Sequence, residues 1–518
     1  MWDKIKQIIS RRKYLDKSAS VNDFDNKKLT KSYAQNIEIL KNIFDNVSDV
    51  KFRQFYIKNN EAILVYIDTM VDKNLINDSV LRPLMFTGED CNQIDQYILE
   101  DLAMQSLTVS EVKKTRSLKN VLDAILEGDG LLLVKGVEPA FLLNMKSWQG
   151  RGISKPTNEV TTYGPQEAFV ENIQTNISMI RKRIRDPLLK VRYKSIGRRG
   201  KSKLAMLYIE DIANDEIVHK IEERLDGIDI DYAMDVGMFE GLISENQWTP
   251  FPQLMRTERP DRITAGLMEG QVALFLENTP YVYLAPAILI NFFQSSEDYY
   301  NNYLISSFIR SLRFVAAAIV IFLPPIYISL TAFHHELLPV ELIIPIALAR
   351  SKIPFPSIIE AFIMEAILEI IREAGARLPG PIGQTISIVG GLVIGDAAVR
   401  ANLVSSPMVI VVAVTAIASF TIPVSAMSVP FRLIRFAIML LAATLSVYGI
   451  ILGFLFMLIH VISLESFDVP YFSPLAPINI MDLKDAIVRL PYKYLNKRPN
   501  SIPHEDNKRS KGDKNERN

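Results

Sequence analysis

From Phe314 onward the chain carries three tracts without a single Asp, Glu, Lys or Arg, and no other feature limits its fold as strongly. Phe314 to Phe333 is twenty residues long, about 30 Å as a helix, which matches the hydrocarbon thickness of a bilayer. Ala401 to Phe431, between Arg400 and Arg432, and Phe436 to Leu464, between Arg435 and Glu465, are longer still. These runs predict membrane-spanning helices. The ground between them is less regular: Leu337 to Ala349 holds Pro339, Glu341 and Pro345, and Leu378 to Gly395 opens with Pro379, Gly380, Pro381 and Gly383. Broken or re-entrant helices sheltered by neighbouring protein suit such segments.

The charges that do enter this region stand out. Between Pro354 and Arg377, Glu365, Glu369 and Glu373 recur at i, i+4 and share one helical face, with Glu360 and Arg372 close by. Ionised carboxylates facing acyl chains would cost several kcal/mol each, so this face must meet water, a pore or basic partners such as Arg350, Arg372, Arg377 or Arg400. Three arrangements satisfy that demand: an interfacial amphipathic helix, an intramembrane salt-bridge network, or a water-filled cation path in an oligomer. Pro324 and Pro325 fall within the first span, where the lost backbone donors predict a kink that serves gating or packing. Gly391 with Gly395, and Gly449 with Gly453, form small-xxx-small pairs that let helices approach closely.

Before Arg313 the sequence is mixed and charge-rich, and it repeats itself. Ile63 to Met70 (ILVYIDTM) and Ala205 to Ile212 (AMLYIEDI) align at an offset of 142 residues, as do Glu127-Gly128 with its following strand, Leu131 to Val134, and Glu269-Gly270 with Ala273 to Leu276. Two matches at one offset predict tandem duplicated α/β subdomains. The expected fold is therefore an α/β soluble N-terminal domain followed by an all-α multi-pass transmembrane bundle. Its boundaries read 1–34 for a basic amphipathic segment, 35–150 and 195–295 for the two subdomains, 151–194 for a polar basic connector, 296–490 for the bundle and 491–518 for a basic disordered tail. The connector's run from Arg181 to Lys203 suits a solvated linker, an acidic docking partner or anionic headgroups.

With 58 basic and 58 acidic side chains, the chain carries no net field to attract nucleic acid. Cys91 is the single cysteine, which excludes an internal disulfide framework and a Cys-based metal site. Gly200-Lys201-Ser202 lacks the first glycine of a phosphate loop, since Ser195 stands there, and His334-His335-Glu336 has no third metal ligand. No nucleophile–base set is visible either, so no enzyme and no cofactor are expected. Arg310 and Arg313, just before the first span, predict a cytoplasmic N-terminal domain, and the basic tail predicts the same side for the C-terminus. Arg432 and Arg435 also look cytoplasmic, yet a single span after them would put the tail outside. The final tract does not end simply, or the tail violates the charge bias.

Several local patterns together resemble the A subunit of GerA-type spore germinant receptors. They are SSEDYYNNY from Ser295, RSLRF from Arg310, LPPIYISLTAFHHELLP from Leu323, PFPSIIEAFIMEAILEIIREAGARLP from Pro354, the stretch Gly383 to Phe420, and FDVPYFSPLAP from Phe467. The resemblance implies a multi-pass protein of the spore inner membrane that works with a transporter-like B subunit and a lipoprotein C subunit. It further implies a subunit that senses or relays nutrient binding and oligomerises into a nutrient-gated ion channel. On that reading Glu360, Glu365, Glu369, Glu373 and Arg372 are pore or intramembrane charge candidates, and Pro324 and Pro325 are gating candidates. A secondary transporter of a small nutrient or ion, or a non-conducting scaffold for the receptor complex, are the alternative functions.

Overall fold

Strands pair with their near neighbours in two separate sheets whose layout is the same. The computed structural model describes residues 27–57, 60–86, 111–146, 155–233, 236–377, 390–391 and 393–509. The N-terminal amphipathic segment up to residue 26, Cys91, the Pro379–Gly383 opening and residues 510–518 lie outside that set. In the first unit α1 (Tyr33–Ile43) precedes β1 (Val50–Ile57) and β2 (Asn60–Ile67), and β3 (Val112–Thr115), α2 (Leu118–Glu127), β4 (Gly130–Val134) and β5 (Ala140–Leu143) follow. The second unit runs α3 (Ile173–Arg183), β6 (Leu189–Ile196), β7 (Ser202–Ile209), α4 (Asp215–Asp226), β8 (Met255–Thr257), α5 (Pro260–Met268), β9 (Val272–Leu276) and β10 (Val282–Ala285).

The antiparallel strand orders are β1-β2-β4-β5-β3 and β6-β7-β9-β10-β8. Strands β2, β4 and β5 start 142 residues before β7, β9 and β10. The sequence signal behind this correspondence is visible at each helix end. Gly128 follows α2 at φ +96° and Gly270 follows α5 at φ +93°, a left-handed turn that a Cβ would oppose. The strands β4 and β9 are buried along their whole length because apolar residues cover both faces of each sheet. The predicted strand runs through Met70 and Ile212 end earlier, at Ile67 and Ile209, where turns begin.

The described part of the expected connector, 155–194, is not a connector. Ile173, Ile177 and Ile180 of α3 bury one helical face in the core of the second unit, and Leu189 already starts its edge strand β6. The basic run is neutralised within the chain: Arg183 pairs with Glu167, Arg192 with Glu222, Lys194 with Asp226 and Arg198 with Asp229. Arg181 does more, reaching across to Asp49 of the first unit through Nε and NH2 at 3.0 and 2.9 Å, with both side chains buried. The Ser48 N–H donates to Val191 O beside it, so the first unit seats on the exposed edge of β6.

After the sheets come α6 (Tyr303–Ala332), α7 (Val340–Arg350), α8 (Ser357–Arg377), α9 (Ser406–Phe420) and α10 (Ser425–Ser463). Two of them, α6 and α10, are long and apolar enough to cross a membrane. The break between the last two predicted spans falls at Thr421–Val424, not at Arg432–Arg435, which lie inside α10.

Helix α10 is two helices folded back on each other. Ser446 leaves helical geometry at φ 56°, ψ −133°. A Cβ built on Gly453 would sit 2.8 Å from Ile438 Cγ1, whereas a straight helix would hold those positions about 22 Å apart. Phe251 of the second unit touches Phe431 from one limb and His460 from the other, so both limbs return to the α/β part. The limbs 425–445 and 447–463 are about 31 and 26 Å long at 1.5 Å per residue. The reversal turns the chain back at Ser446, so the tract does not run as one straight helix from Arg435 to the tail.

A single core cluster runs from β7 and β9 through Phe292 and Phe293 into Ala316, Val320, Phe431 and Ile438, so the second sheet and the helices share one interior. The tail joins it. Residues 491–509, expected to be disordered, pack on the second unit: Arg498 Nε donates to Met268 O at 2.7 Å, the Glu505 N–H donates to Ile212 O at 2.9 Å, and Arg509 pairs with Glu269. Their polarity is spent on backbone carbonyls and carboxylates of a neighbouring surface, a partner that local composition does not reveal.

Candidate functional site

Helix α8 descends beside the first limb of α10, and its carboxylates separate into three environments. Glu365 is fully buried with a carboxylate oxygen 2.6 Å from NH2 of Arg435, itself 1% exposed. One turn on, Glu369 lies 2.5 Å from Arg432 and 3.0 Å from Arg372, with Arg435 at 3.8 Å. Glu360, also fully buried, sits at the far end, where it accepts from the Ser405 N–H at 3.0 Å and faces Arg350 at 3.4 Å. Among the described residues Glu373 pairs with exposed Arg377 alone. The i, i+4 row is therefore not one continuous line of charge.

Two carboxylates, Glu365 and Glu369, meet three guanidiniums, Arg372, Arg432 and Arg435, among apolar helices. The central pair is close without being well bonded. Neither oxygen of Glu365, nor Nε and NH2 of Arg435, finds hydrogen-bond geometry among the described residues. Proximity supplies Coulomb attraction, but unmet donors and acceptors leave part of the desolvation cost in place.

A second cluster locks the base of α6. Arg310 Nε lies 3.3 Å from Asp298 and its NH1 3.0 Å from Asp485, and Arg313 NH1 lies 2.7 Å from Asp298. Arg310 is fully buried and Asp298 is 2% exposed. Arg489 donates to Asp298 O and Asn301 O at 2.5 and 2.9 Å, and the Tyr299 hydroxyl donates to Asp485 at 3.0 Å. Thus the start of α6, the segment before it and the C-terminal strap meet in one buried polar knot. Any tilt of α6 must be felt by the strap and the second sheet.

A profile of the family described as Bacillus/Clostridium GerA spore germination protein matches residues 38–501. The chain belongs to the GerA family. Spore germination protein KA of Bacillus subtilis (strain 168) is 39% identical over 481 residues, covering 92% of this chain and 88% of that protein. The uncharacterized membrane protein YfkQ of the same organism is 39% identical over 490 residues, 94% of this chain and 95% of its own. GerLA of Bacillus cereus is 36% identical over 90% of this chain and 96% of its own. A crystal structure of the N-terminal domain of the A subunit of the Bacillus megaterium spore germinant receptor GerK3 is similar at 33% identity and a TM-score of 0.41, covering 51% of this chain and 98% of that one.

In this GerA-family chain the remaining predicted positions divide. Helix α6 continues through Pro324 and Pro325, both buried, and Ser329 one turn later shares a 2.7 Å hydrogen bond with Ser446 at the apex of the α10 hairpin. Gly449 and Gly453 sit where the two limbs cross, and a Cβ on Gly449 would fall 2.1 Å from Leu441 O. A Cβ built on Gly395 would meet Val409 at ordinary contact distance, and one on Gly391 would meet nothing within 4 Å among the described residues.

Sequence reasoning named Arg350, Arg372, Arg377 and Arg400 as partners and used Arg432 and Arg435 as span boundaries and orientation markers. Their i, i+3 spacing, which puts both on one helical face, was the signal available. Asp298 and Asp485 were missed because their partners lie in separate segments.

Proposed function

We propose that this chain is the A subunit of a spore germinant receptor, a multi-pass protein of the spore inner membrane with its α/β units on the cytoplasmic side. The two units are a tandem duplication, and the subunit works with a transporter-like B subunit and a lipoprotein C subunit. In this reading copies of the chain oligomerise into a nutrient-gated ion channel, and Glu365 and Glu369 with Arg372, Arg432 and Arg435 form its switchable element. The observation that carries the proposal is the buried, incompletely bonded pair between Glu365 and Arg435. A pair that is close but poorly satisfied is suited to two arrangements of similar energy, which gating requires. The even return of helices to one side, and the knot of Arg310, Asp298 and Asp485, support transmission between the α/β units and the bundle.

Spores carrying Glu365→Gln or Glu369→Gln test it. Nutrient-triggered cation release should fall at least tenfold while the subunit is retained in inner-membrane fractions, and single-channel currents of the reconstituted complex should change in amplitude or open time. Normal release and unchanged currents in both variants would remove these carboxylates from the mechanism.

A further inference from the structure

Where the α/β part meets the helices there is a cleft of about 670 Å³ whose walls are unusually rich in arginine. Six arginines and two glutamates line it. Arg259, Arg262 and Arg313 are held by the protein: Arg259 by Asp261, Arg262 by the carbonyls of Asn291 and Gln294, and Arg313 by Asp298. The other three present the surplus. Arg372 and Arg432 belong to the cluster in which guanidiniums outnumber carboxylates, and both share the single carboxylate of Glu369. Arg256 stacks over Tyr281 at 5.0 Å and has no carboxylate within 4.0 Å among the described residues. Glu240 on that side is bonded instead to the Tyr283 hydroxyl at 2.9 Å.

The remaining wall adds donors of the same preference. These are the N–H groups of the first turn of α10, which lines the cleft and starts at Ser425 with no side-chain cap, whereas Ser419 and Thr421 on the same wall spend their hydroxyl protons on the Ala416 and Ala418 carbonyls. The first N–H groups of α10 and the positive end of the helix face the same space. Next to the cleft, Ile417, Phe420, Val429 and Leu433 leave apolar side chains uncovered, with Phe420 75% exposed. Cations and a helix N-terminus beside an uncovered apolar strip describe a phosphate with hydrocarbon attached.

We propose that this cleft seats the phosphate of an anionic phospholipid, with the acyl chains lying along Ile417, Phe420 and Leu433. The inference rests on the membrane placement given above. A lipid held there joins Arg256 of the second unit to Arg372 and Arg432 of the helices, so headgroup charge sets how firmly the two parts are coupled.

The test uses the full-length chain in detergent, followed by native mass spectrometry after incubation with phosphatidylglycerol or phosphatidylcholine. Phosphatidylglycerol should be retained preferentially. Arg256→Gln, which breaks no salt bridge within 4.0 Å among the described residues but gives up the stack on Tyr281, should weaken that retention about tenfold, the worth of one charge-assisted contact, with the protein still folded by circular dichroism. Arg400→Gln, at an exposed residue paired with Asp396 alone among the described residues, should leave retention as it was. Equal retention of the two lipids, or equal loss in the two variants, overturns the proposal. Displacement of the lipid by inorganic phosphate reassigns the cleft to a free oxyanion and overturns the lipid assignment. A chain that stays soluble without detergent would instead sink the membrane placement, and phosphate titration of that protein would still read the cleft by itself.

Discussion

Replacing Arg435 by Met leaves Glu365 as a fully buried carboxylate without its close partner, and replacing Glu365 by Leu does the converse. At 2.6 Å the Coulomb attraction is about 6 kcal/mol with an effective permittivity near 20. Desolvation costs several kcal/mol for each ion, so the pair as a whole contributes little net stability. Removing one member is different, because the survivor keeps its desolvation cost. Each single variant should lose about 3–5 kcal/mol, more than two orders of magnitude in the folding equilibrium at ~1.4 kcal/mol per tenfold. The double variant E365L/R435M should recover to within about 1.5 kcal/mol of the parent, since well-packed apolar residues of similar volume replace buried ion pairs at little cost. The assay is reversible unfolding of the full-length protein in mixed micelles with increasing SDS, followed by helical circular dichroism. Single variants costing under 1 kcal/mol, or a double variant as impaired as the sum of the singles, would refute the reasoning.

Gly449→Ala should destabilise the helical region by about 1–3 kcal/mol in the same titration, because its Cβ meets the Leu441 carbonyl, while Gly391→Ala stays within about 0.5 kcal/mol. A cysteine pair at Ile438 and Gly453 should cross-link within one chain, which a straight α10 forbids. Asp49→Asn strands the buried guanidinium of Arg181 and should cost about 3 kcal/mol or more, with hydrogen exchange rising first at residues 45–50 and in β6. Burial raises the Glu240 carboxyl above the usual range, with the Tyr283 hydroxyl and Arg256 pulling it back. The folded state therefore holds that proton to higher pH than the unfolded chain, and its stability contribution falls as pH rises from the ordinary carboxylate range through the raised value. Hydrogen exchange in β7 and β10 should slow on mild acidification, and E240Q should flatten the dependence.

Much of this architecture is written locally. A charge-free run longer than twenty residues has few homes besides an apolar helix, and the 142-residue echo in strand and glycine pattern coincides with two sheets of the same strand order. These signals survive without tertiary context because periodicity and apolar length act over a few turns or one strand. The reversal at Ser446 left no such mark: no Gly or Pro occupies the turn, and the tract Phe436 to Leu464 reads equally well as one tilted helix. Its return is decided by Gly449 and Gly453 admitting Ile438 and Leu441 from the other limb. The same holds for the charges. That Glu365 must find a partner follows from the cost of burying it, but the choice of Arg435, seventy residues away, depends on which helices pack side by side. The seating of Arg181 on Asp49 and of the tail on Met268 is likewise a matter of surfaces meeting. The sequence alone determined which residues need shelter or a counter-charge; only tertiary packing decided where each finds it, because electrostatic and steric complementarity act through space and leave no period along the chain.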